Sequence, residues 1–231
     1  MKPDFYIETR RDLLDAVQTF GFLPLFVNSV PGFSVEEHVS PRVWFSAERE
    51  GVWEWKGPVI RESGCAYGKF YDAKAVFISR DWFPDFANYR RNGYDFDARC
   101  VDGLASWRDK MLYDTIDGHA PVLSKELKRI GGYGRDGQKG FDTLISRLQA
   151  QCYVVIRDFV YETDRTGKPY GWGVAQYTTP EKEFGEDFCG RVYRRSPEES
   201  YQLLFEHLRE LLPAADEKAI CRILKRKNAE D

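Results

Sequence analysis

The chain has 231 residues, with 34 Lys and Arg against 37 Asp and Glu, a net charge of -3, and 42% hydrophobic residues. Aromatic residues reach 15%, which excludes long disorder because disordered segments are poor in them. The slightly acidic balance argues against a bulk polyanion binder, although a local basic face stays open.

Thr9 to Phe20 has Leu13, Leu14, Val17 and Phe20 at helical spacing, with Thr9 as the cap and Asp12 three residues on. Val43 to Phe45 and Val52 to Ile60 are rich in aromatic and β-branched residues and read as strands. Ala66 to Ser79 reads as a hairpin turning at Asp72-Ala73. Arg80 to Arg91 changes to helical period, with Pro84 in the tolerated first turn.

The middle has a clearer order. Gly103 to Gly118 predicts a helix with Leu104, Trp107, Met111, Leu112 and Ile116 inward. Ser124 caps a second helix, Lys125 to Ile130, and Phe141 to Gln151 forms a third. Cys152 to Glu162, a turn at 164–169 and Tyr170 to Tyr177 follow as two strands. Three helices and a hairpin are the layout of a winged helix-turn-helix. Ser196-Pro197-Glu198-Glu199 then opens a helix with a capping box, running to about Leu212, and a last helix spans Ala214 to Lys227. The expected fold class is α+β. Its parts are an aromatic-rich mixed region over 1–102, a winged helix over 103–180 and C-terminal helices over 181–231.

Candidate chemistry follows from this layout. Lys139, Thr143, Ser146 and Arg147 lie off the apolar face of the third helix, where a recognition helix carries donors for phosphates and base edges. Arg165, Lys168 and Tyr170 mark the wing tip, where cations suit the potential of a minor groove. Residues 124–172 hold nine Lys and Arg against six Asp and Glu, so this segment is +3 and the remainder of the chain -6. A solvated helix face and hairpin turn would look similar. Gly132 to Gly137 spells G-x-G-x-x-G, but it follows a helix rather than a strand and so reads as a turn.

Trp53, Trp55 and Lys56, with Tyr67 and Lys69, form the densest aromatic and cationic cluster. Read as strands, they would either line a pocket that stacks bases or fill an aromatic core. The five cysteines and three histidines are scattered, so no metal site of familiar spacing is written, and no metal is expected. The longest apolar run is about eight residues, short of the roughly 20 needed to cross a bilayer. Residues 1–5 have no apolar run of the kind a secretory signal carries. The expectation is a cytoplasmic protein with reduced thiols and no membrane contact.

The stretches Val52-Trp53-Glu54-Trp55-Lys56-Gly57-Pro58, Ala66-Tyr67-Gly68-Lys69-Phe70, Trp82-Phe83-Pro84 and Leu123-Ser124-Lys125-Glu126-Leu127 resemble the AlkZ-related bacterial proteins. That group is distantly similar to winged-helix DNA glycosylases, which excise alkylated bases and unhook interstrand crosslinks without a metal or dissociable cofactor. The resemblance implies DNA as partner, no cofactor, and a Gln-x-Gln catalytic pattern that Gln149-Ala150-Gln151 matches in letters. In such an N-glycosidic hydrolase the target base is flipped out, and the two amides orient water or stabilise the sugar cation. Two other readings stay open: a non-catalytic winged-helix protein for protein contact or transcriptional control, and a small-ligand enzyme with its site under Trp53 and Trp55.

Overall fold

A computed structural model describes residues 6–46, 49–167 and 169–224, with the backbone alone at 169 and 170. Helix α1 (Arg10–Phe20) leads into strand β1 (Phe22–Pro24), α2 (Pro41–Trp44) and α3 (Val52–Ser63). The hairpin β2 (Ala66–Tyr71) and β3 (Lys74–Ile78) follows, then α4 (Phe83–Arg91) and α5 (Phe96–Val101). The middle comprises α6 (Trp107–His119), β4 (Val122–Leu123), α7 (Ser124–Ile130), α8 (Phe141–Ala150), β5 (Val155–Thr163) and β6 (Pro169–Thr178). The chain continues through α9 (Pro180–Phe184), α10 (Glu186–Cys189), α11 (Pro197–Leu211) and α12 (Glu217–Leu224). The strands make two antiparallel sheets, ordered β1-β3-β2 and β4-β6-β5. The architecture is thus mixed α+β, as the sequence predicts.

Several local expectations are met for the expected reasons. Thr9 caps α1 and Asp12 bonds back to the Thr9 N–H at 2.9 Å. The helix stops at Gly21 in a positive-φ conformation, and a β-carbon there would fall 2.3 Å from the Trp82 ring. The β2–β3 hairpin turns at Asp72 and Ala73, both with positive φ, and pairs Tyr67 with Phe77. Ser196 and Glu199 cap α11 reciprocally.

Two predicted strands are helices. Residues 43–45 belong mainly to α2, which Pro41 starts, and Val52 to Ile60 lies in α3. In α3 the buried side chains are those of Val52, Trp55, Lys56, Val59 and Ile60, at i, i+3, i+4, i+7, i+8 spacing, with Gly57 buried among them. Glu54 accepts the Gly51 N–H at 2.9 Å, which satisfies one of the orphan donors at the helix start. This helical stripe outweighs the strand propensity of the tryptophans. Smaller shifts occur elsewhere. Leu123, not Ser124, precedes α7, and α6 begins at Trp107, capped by Ser106. Of the expected inward face of α6, only Leu112 and Ile116 are buried, while Leu104, Trp107 and Met111 are exposed.

Buried residues of all three expected segments form one contiguous cluster, from Ile7 to Leu224. Three contacts tie the segments together. Helix α3 packs on β5 at Gly57, where a β-carbon would meet the Asp158 carboxylate at 2.6 Å. Helix α8 packs on β2. Helix α11 packs on α4, where the Asn88 amide donates to Ser200 Oγ at 2.9 Å.

Arg91, 1% exposed, joins the end of α4 to three other segments. Its Nη1 donates to Glu181 Oε1 at 3.1 Å and to the Tyr193 hydroxyl at 2.7 Å. Its Nη2 donates to the Cys152 carbonyl at 2.8 Å, and its guanidinium lies over the Tyr153 ring. Burial alone would lower the Arg91 pKa, but Glu181 and the tyrosines leave it raised.

Candidate functional site

Two regions gather the predicted site residues. The first is the outer side of α8 with the β5–β6 hairpin. Phe141, Leu144, Ile145 and Leu148 are buried, as their spacing predicts, and the opposite face carries exposed Thr143 and Arg147 with Ser146 half-buried. Lys139 is exposed just before the helix, but its ammonium donates to the carbonyls of Gly134 and Arg135. Arg165 is exposed in the hairpin turn with no acidic partner among the described residues. Lys168 and the side chain of Tyr170 lie outside the described residues. Helix α11 packs on α4 and α12 packs on α11, and neither has α8 among its principal neighbours.

The charge on this face is partly compensated. Arg147 donates from Nε at 2.9 Å and Nη2 at 2.6 Å to one oxygen of buried Asp109. The other Asp109 oxygen accepts from the Ser106 N–H and hydroxyl, closing the cap of α6. Lys125 pairs with Glu162, and Lys128 with Asp142 at 3.5 Å. The cations that sequence counting places here are therefore unequal in availability.

The structure places Gln149 and Gln151 in different settings. Gln149 is 0% exposed. Its Oε1 accepts the Lys69 N–H at 3.0 Å and its Nε2 donates to the Ile145 carbonyl at 3.1 Å. Both ends of the amide are engaged, and it fastens α8 to β2. Gln151 is half-buried at the end of α8. Gln149→Ala is expected to cost about 1–3 kcal/mol, since it strands a buried N–H. Urea denaturation checks this, and an unchanged midpoint would free the amide for another role.

The second region surrounds Lys56. The expected pocket residues separate here. Trp55 and Tyr67 are buried in the core, Tyr67 against Phe77 and Phe159 with ring centroids 4.7 and 5.7 Å away. Lys69 is half-buried and uses its backbone N–H for Gln149. Trp53 and Lys56 do meet. Lys56 Nζ lies 4.2 Å from the Trp53 ring centroid and 4.4 Å from that of Phe159 on β5. The residue is 7% exposed, and no carboxylate or carbonyl among the described residues accepts from it. Burial pulls its pKa from an ordinary 10.5 down to about 8, with Glu54 opposing the shift.

Trp53 also continues outward. Its ring meets Trp172 of β6 edge to face at 5.7 Å, and Trp172 stacks on Phe45 at 5.8 Å and 23°. Trp172 and Phe45 are 68% and 57% exposed. The hairpin is held to α3 here by the Tyr161 hydroxyl, which donates to the Trp53 carbonyl at 3.2 Å, and by the Arg61–Asp158 ion pair. Phe159, Trp172 and Asp109 enter these sites only through the fold. Their partners lie far off in the chain, so no local spacing marks them.

Among the described residues no group of three or more His, Cys, Asp or Glu is placed to hold a metal ion. No helix among them is long and apolar enough to cross a membrane.

No curated protein matches the sequence. Among solved structures, the DNA glycosylase AlkZ of Streptomyces sahachiroi is similar to this chain with a TM-score of 0.49 and 10% identity. The likeness covers 91% of this chain and 53% of the glycosylase, so the chain spans about half the length of that protein. The family described as AlkZ related matches residues 7–225. That match takes in nearly every element described above, and the chain belongs to the AlkZ-related family.

Proposed function

We propose that this protein binds duplex DNA through a winged helix and serves in the repair of alkylated DNA. In this reading α6, α7 and α8 are the three helices, α8 is the reader, and the β5–β6 hairpin is the wing. The observation that carries it is the open outer face of α8, with Thr143 and Arg147 exposed and Arg165 exposed in the wing turn. The order helix, strand, helix, helix, strand, strand, with β6 central in its sheet, supports the same reading. Membership of the AlkZ-related family supports the repair part.

Binding of a short duplex is expected to fall steeply as salt rises from roughly 50 to 200 mM, because phosphate contacts release counterions. Arg147→Ala is expected to weaken binding about three- to tenfold and to lower the salt slope by about one. Fluorescence anisotropy with labelled DNA measures both. Absence of binding at low salt would sink the proposal. Tighter binding of a methylated duplex than of its unmodified twin would support the repair part, and equal binding would remove it.

A further inference from the structure

Lys56 is not needed for the DNA contacts just proposed, yet its setting is unusual. A buried ammonium normally has a carboxylate or carbonyl partner. Here the ammonium lies against two aromatic rings, Trp53 and Phe159, and no carboxylate or carbonyl among the described residues accepts a hydrogen bond from it. Lys56 keeps 7% of its surface exposed. The Trp53 ring that flanks this nitrogen belongs to the same aromatic row as the exposed Trp172 and Phe45. Such a row gives a planar or sugar-like ligand a surface to lie on.

From this amine between two rings, with no carboxylate or carbonyl acceptor among the described residues and next to an exposed aromatic pair, we propose that Lys56 condenses with an aldehyde to form a Schiff base. A lysine set in an apolar site is a competent nucleophile because it is not locked as the ammonium. The Lys56 nitrogen bonds to the carbonyl carbon, and the carbonyl oxygen leaves as water with the two amine hydrogens. No oxidant or reductant takes part. The aldehyde has two sources: the ring-opened deoxyribose of an abasic site in DNA, or a small free aldehyde. The first rests on the DNA-binding reading above and the second does not.

The test incubates the full-length protein with sodium cyanoborohydride, which reduces an imine to a stable secondary amine. One arm contains a duplex with a single abasic site, and the other contains glycolaldehyde. Peptide mass mapping then locates the adducts. Labelling of Lys56 is expected to exceed that of exposed Lys110 and Lys182 by about tenfold or more in at least one arm. Lys56→Met should remove that adduct, while Lys69→Met should retain it. Circular dichroism confirms that both variants fold. Labelling in the glycolaldehyde arm alone supports a reactive amine for small aldehydes and excludes DNA as the source. Labelling in the abasic arm alone assigns the DNA source. No enrichment at Lys56 in either arm overturns the proposal, even where the duplex is bound.

Discussion

Arg91→Leu is expected to lower the unfolding free energy by about 3–5 kcal/mol, the cost of breaking a buried ion pair by removing one partner. The substitution leaves Glu181 partly buried without its cation and deprives the Cys152 carbonyl and the Tyr193 hydroxyl of a donor. A domain of this size has only about 5–15 kcal/mol in total, so the loss is a large share. Arg91→Lys should rescue little, because an ammonium cannot reach three acceptors with a planar fork. The double variant Arg91→Leu/Glu181→Leu should recover part of the loss, since no buried charge is left over. Urea denaturation curves decide the matter. A cost below about 1 kcal/mol would mean that this network does not hold α4 to the junction of α8 and β5.

Lys56→Met should change stability in the opposite direction, raising it by about 2–3 kcal/mol at pH 7. The folded-state pKa is about 8 against an ordinary 10.5, so the folded protein holds this proton less tightly than the unfolded chain. Below pH 8 both states are charged and the full penalty of the buried ammonium is present. Between pH 8 and 10.5 the folded state releases the proton while the unfolded state keeps it, so wild-type stability gains on this account as pH rises. Methionine fills a similar volume and has no proton to lose. The difference between wild type and variant should thus shrink across that window and be constant below it. Paired denaturation curves from pH 6 to 11 would show this. A pH-independent difference would mean that Lys56 is not desolvated.

How legible this molecule is depends on the range of each interaction. The three helices and hairpin of the middle segment rest on local spacing and turn residues, and the structure places all of them within a few residues of expectation. The 52–60 segment reads as a strand because its β-branched and aromatic residues favour strands, and the structure makes it a helix. Its spacing of Val52, Trp55, Lys56, Val59 and Ile60 carried the helical signal all along. Site residues are another matter. Gln149 and Gln151 looked like a motif, but the partner that occupies Gln149 is the backbone of Lys69, 80 positions away. Phe159 completes the surroundings of Lys56 across a similar gap, and Asp109 reaches Arg147 over 38 positions. Residue type and spacing cannot report such pairs, because they are set by how elements dock.

The Arg147–Asp109 contact bears on the proposed recognition of DNA by α8. A free arginine loses most of its rotamer freedom when it binds a ligand, and this opposes association. Arg147 has already lost that freedom on folding, because two of its five N–H groups are fixed on a carboxylate that is itself fixed by Ser106. The remaining donors sit on a half-exposed guanidinium with its orientation settled in advance. An anion arriving at α8 meets a pre-aimed fork rather than a searching side chain. The buried aspartate therefore trades some of the positive field on this face for a smaller entropic barrier to docking.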